Sequence, residues 1–216
     1  MNEEQAVLDF FAKPENLPLG LSVSQLMDDI RRKMNSALWQ ALQQHLGTLL
    51  NQQAADWQVK VTEDRNAADV LVGLQCKLTR PQELCLFPML EQQYLGGNWR
   101  IFTGLMWQSP PAPEQLALPA VATLKQSLAD AGFGNNENFL AWQWTRFYPQ
   151  RSDFLLRYSQ QPEALLGEVE SVFSSLLIEH RDEIAAANAA LKIRPGTRIQ
   201  SNRYACLFAH VRCNDD

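Results

Sequence analysis

From Leu26 to Leu49 the apolar residues of this chain recur at steps of three and four, and from Trp57 to Trp107 at steps of two. No feature restricts the fold more than that switch. The first period describes one face of an α-helix, the second one face of a pleated strand. Leu26, Ile30, Met34, Leu38, Leu42 and Leu49 form the helical stripe, with Ala37, Ala41 and His45 between them. Arg31, Arg32 and Lys33 fall mostly on the opposite face. Ser22 or Ser24 is placed to cap this helix. Before it, Leu17-Pro18-Leu19-Gly20 reads as an extended connector whose leucines plug into the body. A shorter helix runs from Asn2 to about Ala12 and ends before Pro14.

In the period-two region, Trp57, Val59 and Val61 alternate with polar residues, and Val70 to Leu78 alternates again. Leu84 to Leu90 gives a third strand, in which Pro88 indicates an edge or a bulge because it cannot donate to a ladder. Trp99 to Trp107 gives a fourth. The turns between them (Glu63 to Asn66, Thr79 to Gln82, Gly96-Gly97) are short, and short connections join antiparallel neighbours. Ser109 to Pro113 is a stiff loop that braces a turn. A helix follows from Glu114 or Pro119 to Ala131. Phe139 to Tyr148 fits strand and helix periods equally. Asp153 to Gln160 and Pro162 to about Leu191 are helical, the latter with Leu165, Val169, Val172, Phe173, Leu176, Leu177 and Ile184 on one side.

The expected fold is therefore α+β: an antiparallel meander of about four strands (residues 57–107) packed by the long N-terminal helix and the C-terminal helices. Residues 1–191 read as one domain, with 109–113 the place where a subdivision would fall. Residues 192–216 form a tail made basic by Lys192, Arg194, Arg198, Arg203 and Arg212. At 216 residues with 46% hydrophobic content, the chain is long enough to bury a core without metal or disulfide staples.

The formal net charge of −5 gives no general basic footprint for nucleic acid. The first residues are acidic, and no apolar run approaches the roughly 20 residues of a membrane span. Those features point to a cytoplasmic protein with no membrane partner. Cys76 reads as a core thiol. Cys206, His210 and Cys213 form a loose C-x3-H-x2-C grouping that lacks the usual halves of a zinc site.

Catalytic signatures are sparse. There is no G-x-S-x-G elbow and no phosphate-binding glycine motif. His45 reads as a structural residue of the helical stripe, and His180 as part of a solvated charged turn. One pattern outlines metal chemistry. Asp64 or Asp69 precedes Gln75-x-Lys77, which resembles a degenerate PD-(D/E)xK nuclease site. There, carboxylates would hold Mg²⁺ while the lysine helps activate water. Glutamine replaces the usual acid, no proline precedes the first acid, and Asp69 lies close to Gln75.

The aromatic and arginine content of the middle is more informative. Arg100, Phe102 and Met106 share one face of the fourth strand, and Trp142 and Arg146 follow nearby. Aromatics and arginine dominate protein–protein hot spots, and they also stack on unpaired bases. The sequence thus leads to a non-enzymatic interaction module without a cofactor, engaging a protein partner or a second copy through the sheet face of Arg100, Phe102, Met106, Trp142 and Arg146 or through its last helix. A single-stranded nucleic-acid binder and the Mg²⁺ nuclease are the alternatives.

Overall fold

Helix α2 (Leu17–Gln53) runs for 37 residues, about 55 Å at 1.5 Å per residue. Only its second half enters the body. The computed structural model describes residues 3–64, 67–79, 84–95 and 97–192. The expected strand from Tyr204, the grouping of Cys206, His210 and Cys213, and the basic residues after Lys192 lie outside the described residues. So do Arg65, Asn66, Gly96 and most of the turn at Arg80-Pro81-Gln82.

Helix α1 (Glu3–Phe11) precedes α2. α2 begins several residues earlier than the serine caps suggest, so Leu17-Pro18-Leu19-Gly20 is its first turn and not an extended connector. Pro18 is tolerated there because first-turn N–H groups have no helical partner. Gly20 lets α1 approach, since a Cβ would stand 3.1 Å from Phe11 Cδ1.

Five antiparallel strands follow in the spatial order of the sequence: β1 (Trp57–Asp64), β2 (Ala67–Leu78), β3 (Leu86–Leu95), β4 (Asn98–Trp107) and β5 (Phe139–Trp144). The expected meander is present with one more strand. β5 resolves the segment that fitted both periods, because it pairs with β4 from Phe102↔Trp144 to Leu105↔Ala141. Between β4 and β5 lie the short α3 (Pro113–Leu116) and α4 (Pro119–Asp130). The sheet therefore uses residues on both sides of the proline loop.

Leu38, Trp39, Leu42, Leu46 and Leu50 of α2 are buried with Trp57, Val59, Leu74 and Cys76 of the first two strands. Val121, Leu124 and Leu128 of α4 join the same core. The chain ends its described part with α5 (Ser152–Gln160), α6 (Pro162–Ser174), a π-helical turn (Ser175–Glu179) and α7 (Arg181–Lys192). The single helix expected from Pro162 is thus broken by the π turn. His180, expected to be solvated, is mostly buried at that break; its Nδ1 lies 2.8 Å from Glu183 Oε2 and 3.4 Å from Ser127 Oγ. His45 ties α2 to α6, 3.2 Å from Glu163 and 3.5 Å from Glu170.

β2 and β3 pair only over Gly73–Gln75 and Met89–Glu91, and splay apart on either side. Side-chain amides fill the openings. Asn188 of α7 accepts from Cys85 N–H (2.8 Å) and Leu86 N–H (3.0 Å), and donates to Leu86 C=O (2.9 Å) and Ile184 C=O (3.1 Å). At the other opening, Gln92 and Asn35 both donate to Leu71 C=O. This geometry also accommodates Pro88 inside a central strand. Leu86 turns its N–H and C=O away from β4, and alternation puts the Pro88 nitrogen on the same, locally unpaired side.

Candidate interaction surfaces

Register builds one sheet face row by row. Thr62, Gly73, Glu91, Phe102 and Trp144 form one row across all five strands; Lys60, Gln75, Met89, Gly104 and Trp142 form the next. The first two strands contribute polar side chains and the last two contribute rings. Gly104 makes the crowding of rings possible. A Cβ there would stand 3.0 Å from both Phe139 Cδ1 and Trp142 Cβ.

The five residues expected to meet a partner sit largely within this self-made cover. Phe102 (4% exposed) meets Phe139 and Trp144 edge-on, with centroids 5.9 and 5.4 Å apart. Met106 (8% exposed) is also buried. Arg100 donates from Nε to Thr145 C=O at 2.8 Å and lies over Trp144 and Tyr148, 5.4 and 5.2 Å from their centroids. Trp142 is half-buried against Trp144. Arg146 is exposed but bonded to Glu168 at 2.7 Å. Glu168 also takes a two-pronged contact from Arg157. Those arginine hydrogen bonds, Arg157 first, hold its carboxyl down at about 2. Phe102 is thus covered by Phe139 and Trp144 of the chain's own fifth strand.

A carboxyl absent from the sequence reading occupies the centre of this face. Glu91 accepts from Gln75 Nε2 (3.3 Å) and Thr62 Oγ1 (3.4 Å) and lies across Gly73, where a Cβ would be 2.4 Å from Glu91 Cγ. Burial pushes its pKa up to about 7, against the opposing pull of the two hydrogen bonds. The only sequence signal was an acid directly after the apolar run Leu84 to Leu90. Its neighbours come from three strands, so only register shows them.

The Mg²⁺ arrangement does not assemble. Asp69 and Gln75 stand on one strand, six residues apart, which at about 3.3 Å per residue separates them by roughly 18–20 Å. That far exceeds what ligands bonded at about 2.0–2.6 Å to one ion can span. Asp64 is opposite Ala67 at one end of the hairpin, and Lys77 is opposite Gln58 at the other. Gln75 is committed to Glu91. Among the described residues, no group of three or more His, Cys, Asp or Glu side chains could hold a metal ion.

The surface that the chain leaves open is the arm formed by α1 and the first half of α2. Val7, Leu8, Phe10, Leu17, Leu19, Leu21, Val23, Leu26, Met27 and Ile30 are each 40–63% exposed. α1 contains no buried residue, and the buried positions of α2 begin at Asn35. Leu17 and Leu19 do not plug into the body, and Leu26 and Ile30 are not core, although they continue the periodicity of the core stripe. From Leu17 to Met27 there is no charged residue. A solvent-facing helix ordinarily carries charges on its outer side. Asn16 Nδ2 donates to Phe10 C=O at 3.0 Å and closes the arm's tip.

Among the described residues no helix is long and apolar enough to cross a membrane. Comparison with protein-family models, with curated proteins and with solved structures gives no match.

Proposed function

We propose that this protein is a non-enzymatic interaction module that engages another protein chain, and that its docking surface is the arm. The observation that carries this reading is the concentration of ten large apolar side chains, roughly half exposed, within residues 7–30. Burying the exposed half of such a side chain stabilises by on the order of 1 kcal/mol. The arm therefore holds on the order of 10 kcal/mol of burial that its own chain leaves unused. α1 has nine residues, below the roughly 12–15 that an isolated helix needs in water, so it gains most from a covering surface.

Charge favours a protein over a lipid or nucleic-acid surface. Between Glu3 and Lys33 the arm carries Glu3, Glu4, Asp9, Glu15, Asp28 and Asp29 against Lys13, Arg31, Arg32 and Lys33. That mixed balance is not the basic excess that anionic lipid headgroups and phosphate backbones attract.

Photo-crosslinking tests the reading. A photoreactive residue at Leu26, introduced in the cell of origin, is expected to give one adduct of discrete mass. A probe at exposed Lys125 gives none, and adding Ile30→Glu abolishes the adduct. Failure of every arm position to form an adduct overturns the reading.

A further inference from the structure

We infer that the arm's partner is a second copy of this chain, with two arms packing antiparallel into a four-helix bundle; this rests on the arm being the docking surface. Leu19, Val23, Leu26 and Ile30 recur at steps of four, three and four, the a/d spacing of a helix–helix seam. The stripe is exposed along its whole length: 54% at Leu19, 42% at Val23, 61% at Leu26 and 46% at Ile30. With α1 folded back on α2, each arm is half of a four-helix bundle, an architecture that buries such stripes inside.

Area is sufficient. Leu17 and Leu21 lie on the far side of α2 from the seam, which leaves eight half-exposed apolar side chains, or on the order of 400 Å² of apolar surface. With an apolar fraction near 60%, that corresponds to about 650 Å² per copy, in the lower part of the range of stable interfaces.

Charge selects the direction. In an antiparallel pair centred between Ser24 and Gln25, Leu19 meets the partner's Ile30 and Val23 meets the partner's Leu26. The uncharged residues Ser22 to Met27 of the two copies then lie opposite each other, and Leu17 to Leu21 face the partner's Asp28, Asp29, Arg31 and Arg32. Glu15 at the tip arrives within one turn of the partner's Lys33, beside Arg31 and Arg32. A parallel pair would instead place Asp28 and Asp29 of the two copies side by side, and likewise the two basic runs. Like charges so juxtaposed oppose association. The contact is isologous and closes at two copies.

Sedimentation equilibrium of the full chain tests this. The expected mass at tens of micromolar is twice that of the 24.5 kDa chain. Leu26→Glu and Ile30→Glu are each expected to give monomers that keep a cooperative unfolding transition and the near-ultraviolet circular dichroism of the buried tryptophans, because neither residue belongs to the core, while melting below the parent as the contribution of association is lost. Glu15→Lys and Lys33→Glu are each expected to weaken the dimer several-fold, and the double variant to restore it. A monomeric parent, or a dimer indifferent to Leu26→Glu and Ile30→Glu, overturns the inference. Failure of the double variant to restore affinity overturns the antiparallel register. A monomer whose Leu26 probe still captures a different protein refutes self-pairing alone, whereas a monomer without any adduct refutes the docking arm as well.

Discussion

Glu91→Gln should stabilise this protein at pH 8 and have several-fold less effect at pH 5. Burial raises the Glu91 pKa from the ordinary 4.5 to about 7, so the folded chain holds this proton more tightly than the unfolded chain does. The stability tied to that proton is complete below about pH 4.5, declines as pH rises towards 7, and is gone above it. At about 1.4 kcal/mol per pH unit, the interval bounds the cost of ionised Glu91 at roughly 3 kcal/mol. The carboxyl keeps partial solvent contact, which reduces this towards about 2 kcal/mol. Glutamine keeps an oxygen for Gln75 Nε2 and Thr62 Oγ1 and cannot ionise. Urea titrations of both proteins at half-unit intervals from pH 5 to pH 8 measure the difference. For a chain of this size, a gain of about 2–3 kcal/mol at pH 8 raises Tm by roughly 4–12 °C. A difference that is flat with pH, or that shrinks as pH rises, would refute the burial argument for Glu91.

Two further outcomes follow from the polar ties of the body. Asn188→Ala leaves the N–H and C=O of Leu86 and the N–H of Cys85 without their partner in the splay between β2 and β3, so chemical denaturation should show a loss of about 2–4 kcal/mol. Glu168 behaves oppositely to Glu91. Its depressed pKa means that its contribution is present above about 4.5 and lost as pH falls to about 2; Glu168→Gln should therefore lower stability at neutral pH and flatten the acid limb of the stability profile.

The same apolar spacing was readable from Leu26 to Leu49 of α2, but spacing identifies a face and not what covers it. Leu38 and Leu42 went to the core while Leu26 and Ile30 stayed in water, and no local property separates the two pairs. Absence of charge does not mark the difference either, since the buried run from Met34 to Gln53 is as free of Asp, Glu, Lys and Arg as Leu17 to Met27 is. The meander was legible because its turns are short, whereas β5 was not, since Phe139 to Trp144 satisfies both periods and only pairing with β4 decides. Glu91 and Asn188 escaped for a common reason. Each gains its role from groups distant in sequence: Gly73, Gln75 and Thr62 for the acid, Cys85 and Leu86 for the amide. Asn188 lay within an alanine-rich helical segment that signalled only high propensity.

The body and the arm treat unfavourable surface in opposite ways. Where β2 and β3 separate, buried amides restore the missing ladder bonds. Where the sheet presents Phe102 and Met106, the chain adds Gly104 and a strand of rings to cover them. Leaving a buried polar group unpaired costs about 1–3 kcal/mol, and both remedies avoid losses of that order. The arm shows no such remedy over more than a third of α2, even though a single charged substitution at Leu26 or Ile30 would interrupt its seam without touching the core. A helix that needed only to be soluble would gain from that change. The uncharged stretch has a physical use if something covers it, and under the proposed self-pairing the a/d-spaced side chains of a second arm are that cover.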